Sequence, residues 1–179
     1  MSRAALRRML ALRLGILPDE LRFVTNRYGK PRLHEDSGIE FNISHAGRFV
    51  LIALSSRGKV GVDIESRDRG KDAENLAPYV FTSIECRTRI QTAENFVEHW
   101  VAKESVLKAL GLGISEHLQS VSILPGDGGG YEIAYSRPEW SGIRVWRIEA
   151  PDGYVAAIAL QCPVSSALPG RHTDHQCVA

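Results

Sequence analysis

The sequence predicts an α+β protein made of two halves that pack together, because a helix followed by short strands occurs twice along the chain. In the first half, apolar residues at three- and four-residue spacing predict an amphipathic helix over residues 3–15. In the second half, an apolar stripe predicts a helix over residues 93–110, and four short strands follow it. A chain of 179 residues can bury one core, or two small cores that support each other.

Turn residues delimit each element of the first half. Gly15 and Pro18 end the first helix, and LRFVTNRYGKPRL then predicts a short strand that runs into a turn around residues 29–31. Residues 49–54 are strongly apolar and predict a second strand. The turn at residues 56–59 leads into VGVDIES, which we expect to pair with the preceding strand as a hairpin.

The second half begins with a charged, weakly periodic stretch over residues 66–80, which predicts an excursion across the surface. A helix is expected after Thr82 or Ser83, and the long helix ends at the stop signal Gly111-Leu112-Gly113. The segments SVSIL, YEIAY, IRVWRIEA and YVAAIAL alternate with turn sequences and predict antiparallel strands. We expect a first half over residues 1–59, a second half over 60–162 and a frayed tail over 163–179.

Composition limits the classes of partner. With 22 basic and 21 acidic residues the net charge is +1, so no overall field attracts nucleic acid or an anionic membrane. Three widely spaced cysteines, none in a CxxC pair, argue against a disulfide framework or a zinc knuckle. Arg13 interrupts the apolar residues of the N-terminal stretch before they reach the length of a signal peptide or a membrane span. We therefore expect a cytoplasmic protein.

The strand VGVDIE carries two carboxylates on one face. Asp63 and Glu65 are two residues apart, so their side chains leave the strand on the same side. Carboxylates that close repel each other unless a cation compensates them, and paired hard oxygens are ligands that magnesium takes. An exposed, solvated strand face is the competing interpretation.

The helix segment VAKESVLKALG carries a second cluster of charges. Glu104 and Lys108 are four residues apart on one helix face, with Lys103 beside them, which is also the pattern of a surface ion pair. Trp100 precedes Glu104 by one turn and places the acid close to the apolar stripe. A half-buried acid in this position favours a third metal ligand, with the lysines holding phosphate oxygens.

Three segments in this order, FNISHAG, VGVDIE and FVEHWVAKESVLKALGLGI, together with YGKP upstream, resemble the surfactin-synthetase-activating type of 4′-phosphopantetheinyl transferase. The resemblance covers about residues 5–160. It implies a pseudodimer of two similar halves, each a helix packed on a small antiparallel sheet, with CoA in the cleft between them. It also implies transfer of 4′-phosphopantetheine from CoA to a serine of an apo acyl or peptidyl carrier protein, with release of 3′,5′-ADP. Such carriers serve fatty acid biosynthesis, secondary metabolism such as polyketide or peptide-synthetase pathways, or a reductase, and the resemblance leaves open which of these this chain serves.

The resemblance assigns roles to residues of this chain. It makes Asp63, Glu65 and Glu104 ligands of Mg²⁺, or of Mn²⁺. It also makes Glu104 the candidate base for the carrier serine hydroxyl, directly or through a metal-bound water. Lys108 matches the lysine that stabilises the pyrophosphate or the departing 3′,5′-ADP, which is chemically reasonable because phosphoryl transfer develops negative charge.

Four residues match positions that contact CoA: Lys30, Ser44, His45 and Lys103, with Lys108 again among the phosphate contacts. Without the resemblance, Lys30 reads as a turn lysine, and Ser44 with His45 reads as packing at the start of a strand. Because they are adjacent, Ser44 and His45 do not form a nucleophile and base pair. A basic surface for an acidic carrier is expected at Arg67, Arg69, Lys71, Arg87 and Arg89, with a solvated loop as the alternative.

Several alternatives stay open. Family members of this type carry several tens of residues before the helix that begins here at Arg3, including basic residues that grip the CoA 3′-phosphate. Either other arginines replace them, namely Arg3, Arg7, Arg27 or Arg32, or CoA binding is weaker, or the chain as given starts late. A magnesium-dependent phosphohydrolase would use the same three carboxylates, and a non-catalytic carrier-binding module would bind the carrier without modifying it. Since one chain contains both halves, we expect a monomer.

Overall fold

The computed structural model describes residues 2–87, 93–126 and 130–162, and its α+β class confirms the prediction. The helices are α1 (Ser2–Leu14), α2 (Ala73–Val80), α3 (Ser83–Arg87), α4 (Ala93–Leu110) and α5 (Ile114–His117). The strands are β1 (Phe23–Thr25), β2 (Pro31–Leu33), β3 (Glu40–Ala46), β4 (Phe49–Ser55), β5 (Lys59–Ser66), β6 (Val121–Pro125), β7 (Tyr131–Tyr135), β8 (Ile143–Ile148) and β9 (Tyr154–Gln161). Short 3₁₀ helices span Pro18–Glu20, Arg67–Asp72, Leu118–Ser120 and Pro138–Trp140.

The first half packs one helix on a β-hairpin. β3 and β4 pair antiparallel, with Ile43 opposite Ile52, and β1 pairs with β2 in a smaller hairpin. Leu6 and Leu10 of α1 are buried against Phe41 of β3, because apolar residues recur on one face of the helix and alternate along the strands. The sequence therefore predicted both the helix and the strand at residues 49–55 within one or two residues.

The second half packs α4 on a three-stranded antiparallel sheet with the order β5-β9-β8. The buried side of α4, including Phe96, Val97 and Leu107, shares one core with Val155 and Ala157 of β9. The β6-β7 hairpin adds Val121 and Ile123 to the same core. The predicted tail over residues 163–179 lies outside the described residues, and the predicted boundary between residues 59 and 60 stays a prediction.

The expected hairpin between β4 and β5 is wrong. β5 pairs instead with β9, with Asp63 opposite Ala157, although β9 begins almost ninety residues later in the chain. The reason is that β4 and β5 contact each other through their apolar faces: Ala53 packs against Val60 and Val62. Strands that pack face to face present their edges to other partners, and here these are β3 for β4 and β9 for β5.

Side chains, rather than a β-ladder, join β3 to β5. The Val62 N–H donates to Asn42 Oδ1 at 2.8 Å, and the Ile64 N–H donates to Ser44 Oγ at 3.3 Å. These amides point away from β9, because backbone groups alternate between the two edges of a strand. The seam defined by these two bonds connects the halves and brings Ser44 beside Asp63. Over the described ranges, no helix combines the length and the apolar character needed to cross a membrane.

Candidate active site

Four polar side chains meet where the two halves join. Lys108 Nζ lies 2.6 Å from Asp63 Oδ1 and 3.3 Å from Glu104 Oε2. Ser44 donates its hydroxyl to the same Asp63 oxygen at 2.6 Å and accepts from Lys108 Nζ at 3.2 Å. Asp63, Glu104 and Ser44 are buried, while the Lys108 side chain is 21% exposed. The arrangement is a partly open site in which one ammonium group compensates two carboxylates.

Local geometry explains this convergence. In β5 the side chains of Val62 and Ile64 enter the apolar cores between the sheets, so Asp63 points to the opposite side, toward α4. Glu104 and Lys108 lie on one face of α4 because they are one helical turn apart. Gly61 allows β5 to approach α4 closely, since a Cβ atom there would lie 2.0 Å from the Ser105 carbonyl oxygen.

Burial is the main influence on the pKa values of the Asp63 and Glu104 carboxyl groups. Burial raises the pKa of Asp63 above its ordinary value, and hydrogen bonds from Lys108 and Ser44 partly oppose that rise. Burial, followed by the charge of Asp63, raises the pKa of Glu104 to about 7, against the influence of Lys108 and Arg69. A carboxyl group with a pKa near neutrality can exchange a proton at physiological pH.

Glu65, the third expected metal ligand, is engaged elsewhere. Its Oε2 lies 3.1 Å from Arg69 NH1, and its Oε1 accepts the Ser66 N–H at 2.9 Å. Across the described part of the chain, no group of three or more histidine, cysteine, aspartate and glutamate side chains is arranged to hold a metal ion. Asp63 and Glu104 do face one cation, Lys108, and Mg²⁺ commonly binds through one or two carboxylates with water and phosphate. The donor set therefore fits a two-carboxylate site.

Lys103 is not part of this site, which contradicts its expected contact with CoA. Its side chain has no exposure, and Nζ lies 2.6 Å from Glu85 Oε2. Nζ also donates to the carbonyl oxygens of Val80 and Leu118. The physical reason is helical rotation: Lys103 and Glu104 are consecutive in α4 and point about 100° apart, so only one of them can face β5.

The other two expected CoA contacts also lie apart from the Asp63 cluster. Lys30 Nζ donates to the carbonyl oxygens of Val60 at 3.1 Å and Ala109 at 3.3 Å, and burial lowers its pKa to about 8. His45 is exposed, and its Nε2 lies 3.3 Å from Ser2 Oγ. Of the adjacent pair in β3, the structure brings Ser44 and not His45 to the carboxylates, because neighbours in a strand point to opposite sides.

The expected carrier surface is partly exposed. Arg67, Lys71 and Arg87 are exposed, with Lys71 in a 2.7 Å ion pair with Asp68. Arg69 is different: its guanidinium carbon lies 4.1 Å from the centroid of the Trp100 ring, and its side chain is 33% exposed. Arg89 lies outside the described residues.

Two structurally important residues escaped the sequence analysis. Asn42 holds β5 through the Val62 amide, and its position two residues before Ser44 on the same strand face was an available signal. Glu85 is fully buried and binds Lys103 as well as the N–H groups of Thr82 and Ile123. Nothing in the local sequence around Glu85 indicates a buried acid, since SIECR reads as an exposed short helix.

The family model and the relatives that match this chain all belong to one family. The family model of the 4′-phosphopantetheinyl transferase superfamily matches residues 59–159. A Synechocystis sp. protein with a provisional 4′-phosphopantetheinyl transferase name is 37% identical over 127 residues, which are 66% of this chain and 51% of that protein. The 4′-phosphopantetheinyl transferase HetI of Nostoc sp. is 29% identical over 167 residues, covering 88% and 68%. For Sfp of Bacillus subtilis the values are 30% over 151 residues, covering 80% and 65%.

The chain thus spans about half to two thirds of the length of these relatives. Among solved structures, the holo-[acyl-carrier-protein] synthase of Thermotoga maritima aligns with a TM-score of 0.48 at 23% identity, covering 59% of this chain and 64% of that one. The Bacillus anthracis synthase, solved in complex with CoA (3′,5′-ADP), aligns with a TM-score of 0.47 at 19% identity, covering 59% and 96%. Because the family model matches more than half of the 179 residues, including Asp63, Glu104 and Lys108, the chain belongs to the 4′-phosphopantetheinyl transferase superfamily.

Proposed function

We propose that this protein transfers the 4′-phosphopantetheine group of CoA to a serine of an apo acyl or peptidyl carrier protein. The observation that carries the proposal is the partly open cluster of Asp63, Glu104, Lys108 and Ser44, which unites the strand and helix motifs of the family. The names of the relatives support the same activity.

In the proposed reaction, Glu104 accepts the proton of the carrier serine hydroxyl as the serine oxygen bonds to the phosphorus of 4′-phosphopantetheine. The bond between that phosphorus and the bridging oxygen of the pyrophosphate breaks, and 3′,5′-ADP departs with the electron pair. Burial raises the pKa of Glu104 to about 7 in the metal-free protein, and a bound Mg²⁺ would lower it, so the carboxylate would be ionised and able to accept a proton near neutral pH. Lys108 donates to phosphate oxygens, where negative charge develops during phosphoryl transfer.

Asp63 and Glu104 would hold Mg²⁺, or Mn²⁺, and Glu65 would join them as a third ligand after it leaves Arg69. When bound, the ion would stabilise charge on the phosphate oxygens. Ser44 keeps the Asp63 carboxylate oriented through its 2.6 Å hydrogen bond. Of the expected CoA contacts, Ser44 and Lys108 lie at the cluster and are the ones we retain there.

We further propose an acidic carrier as the protein partner and an active cytoplasmic monomer. Arg67 and Lys71 are exposed cations on the 3₁₀ helix that packs on α4, and Arg87 is an exposed cation at the end of α3. All three suit a partner with acidic side chains around its serine. Reversal of two of these charges should raise the carrier KM and its salt sensitivity while CoA binding is unchanged. An unchanged carrier KM would move the docking surface elsewhere.

The decisive experiment incubates the protein with CoA, MgCl₂ and a panel of apo-carrier proteins, and then weighs each carrier and quantifies 3′,5′-ADP. We expect holo-carrier and 3′,5′-ADP in equal amounts, and loss of both with Glu104→Gln. Release of 3′,5′-ADP without a carrier would identify a phosphohydrolase instead. Carrier binding without any mass change would identify a non-catalytic module.

A further inference from the structure

The Glu65 carboxylate has partners for both of its oxygens. One oxygen lies 3.1 Å from Arg69 NH1, four residues later in the chain, and the other accepts the Ser66 N–H at 2.9 Å. Its side chain is only 24% exposed. Its negative charge also contributes to raising the pKa of Asp63, so Glu65 belongs to the same electrostatic site. Glu65 is therefore close to the site, but it is directed to Arg69.

Arg69 is well fixed for a side chain of a surface helix. Its guanidinium stacks on Trp100, a buried residue one helical turn before Glu104, with 4.1 Å between the guanidinium carbon and the ring centroid. The positive charge of Arg69 also lowers the pKa of Glu104. Arg69 thus forms an ion pair with Glu65 and also acts electrostatically on Glu104, without an ion pair to it.

Arg69 also connects the site to the outer surface. It lies in the 3₁₀ helix Arg67–Asp72, which exposes Arg67 and Lys71 to solvent. An acidic partner that binds this helix would meet a guanidinium whose pairing with Glu65 is partly exposed and hence weak. A competing carboxylate from the partner can therefore take Arg69 from Glu65.

We infer that Arg69 is a positioning residue that holds Glu65 out of the divalent-cation site in the resting protein, and that an acidic carrier releases Glu65 by drawing Arg69 away. The inference rests on the proposed function for the identity of the carrier, but its first half concerns only residues of this chain. It makes cation binding and carrier binding favour each other, and thermodynamic linkage requires the two effects to be equal in size.

The first test measures Mn²⁺ binding without turnover, by the loss of the electron paramagnetic resonance signal of free Mn²⁺. Arg69→Gln should bind Mn²⁺ about fivefold more tightly than the wild type, because a partly exposed ion pair is worth about that factor. Removal of any nearby positive charge raises the Mn²⁺ affinity somewhat, so Lys71→Gln is the matched control. Lys71 is exposed on the same 3₁₀ helix and pairs with Asp68, and its variant should stay within about twofold of the wild type.

A double-mutant cycle isolates Glu65. Glu65→Gln should change Mn²⁺ affinity little in the wild type, where this carboxylate is held by Arg69, and should abolish the gain in the Arg69→Gln background. Equal affinities for Arg69→Gln and Lys71→Gln would overturn the inference. An equal loss from Glu65→Gln in both backgrounds would overturn it as well. If Arg69→Gln fails to fold, Arg69→Met keeps more of the packing on Trp100 and serves the same purpose.

The second test adds an apo acyl carrier protein to the Mn²⁺ titration. The carrier should tighten Mn²⁺ binding by the wild type and leave Arg69→Gln unchanged, because that variant has already released Glu65. A carrier that binds without changing Mn²⁺ affinity would overturn the role of the carrier. A carrier that does not bind at all would count against the proposed function, while the Mn²⁺ cycle would still decide the role of Arg69.

Discussion

Replacement of Lys103 by methionine distinguishes a buried structural lysine from a CoA-contacting one. The ammonium group has no exposure, lies 2.6 Å from Glu85 Oε2 and donates to two backbone carbonyls. Lys103→Met leaves the buried Glu85 carboxylate without its cation, and removal of one partner of a buried ion pair costs about 3 to 5 kcal/mol of unfolding free energy. For a chain of this length each kcal/mol lowers the melting temperature by about 2 to 4 °C, so we expect a decrease of about 10 °C.

The assay pairs differential scanning calorimetry with CoA binding by isothermal titration calorimetry at a temperature where both proteins are folded. The CoA dissociation constant of Lys103→Met should stay within about twofold of the wild type, because Lys103 lies outside the Asp63 cluster. Lys71→Met, which removes an exposed lysine paired with Asp68, should change neither quantity appreciably. A Lys103→Met protein with unchanged melting temperature and at least tenfold weaker CoA binding would refute the reasoning.

Three further perturbations test other parts of the molecule. Glu104→Gln keeps the side-chain shape but removes the charge and the basicity, so kcat for transfer should fall at least about a hundredfold while circular dichroism is unchanged. Burial lowers the pKa of His99, whose Nδ1 lies 2.8 Å from the Asn95 carbonyl oxygen, so the folded state takes up fewer protons than the unfolded state below pH ~6.5. Urea unfolding should therefore show that the wild type loses more stability than His99→Phe between pH 7.5 and 5.5, taken as about one unit either side of that value. Burial lowers the pKa of Lys30 to about 8, so between that value and the ordinary 10.5 the folded state binds fewer protons than the unfolded state. The stability of the wild type relative to Lys30→Met should therefore rise across this window in the same assay.

Each of these predictions has a contrary outcome. Near-normal transfer by Glu104→Gln would remove the base assignment and leave only its contact with Lys108. Equal acid sensitivity of the wild type and His99→Phe would mean that His99 does not control stability in acid. A constant stability difference between the wild type and Lys30→Met from pH 7.5 to 10.5 would show that Lys30 titrates normally in the folded protein.

Local patterns predicted the elements well and the pairing of strands less well. The helix over residues 93–110 was predictable because its apolar stripe and its glycine stop signal are both local. The partner of β5 was not, because a strand with two open edges can pair with either a near or a distant strand, and adjacency in sequence favours the near one. The choice of partner depends on the packing of the apolar faces of β4 and β5 against each other, and this packing exists only in the folded protein.

The site residues divide along the same line. Strand alternation correctly placed Asp63 on the side of β5 opposite Val62 and Ile64. Helical periodicity correctly placed Glu104 and Lys108 on one face of α4. The same periodicity, applied to Lys103, would have separated it from Lys108, since five residues along a helix correspond to about 140° of rotation. The ion pair between Glu65 and Arg69 could not be predicted from the sequence, because Arg69 lies in a 3₁₀ helix whose course depends on packing against Trp100.

The hydrogen bonds from the β5 amides to Asn42 and Ser44 fix the register of β5 relative to β3. In an ordinary β-ladder every residue offers the same backbone groups, so a slip of two residues keeps each hydrogen bond. Here a slip of two residues in one direction would present Ala46, which has no acceptor, to the Ile64 amide, and in the other it would bring the Glu40 charge to the Val62 amide. One alignment satisfies both amides without burying a charge. The position of Asp63 relative to β3 is therefore specified by the side chains of Asn42 and Ser44. A substitution at Asn42 would shift Asp63, although the hydrogen bond of Asn42 itself goes to the Val62 amide.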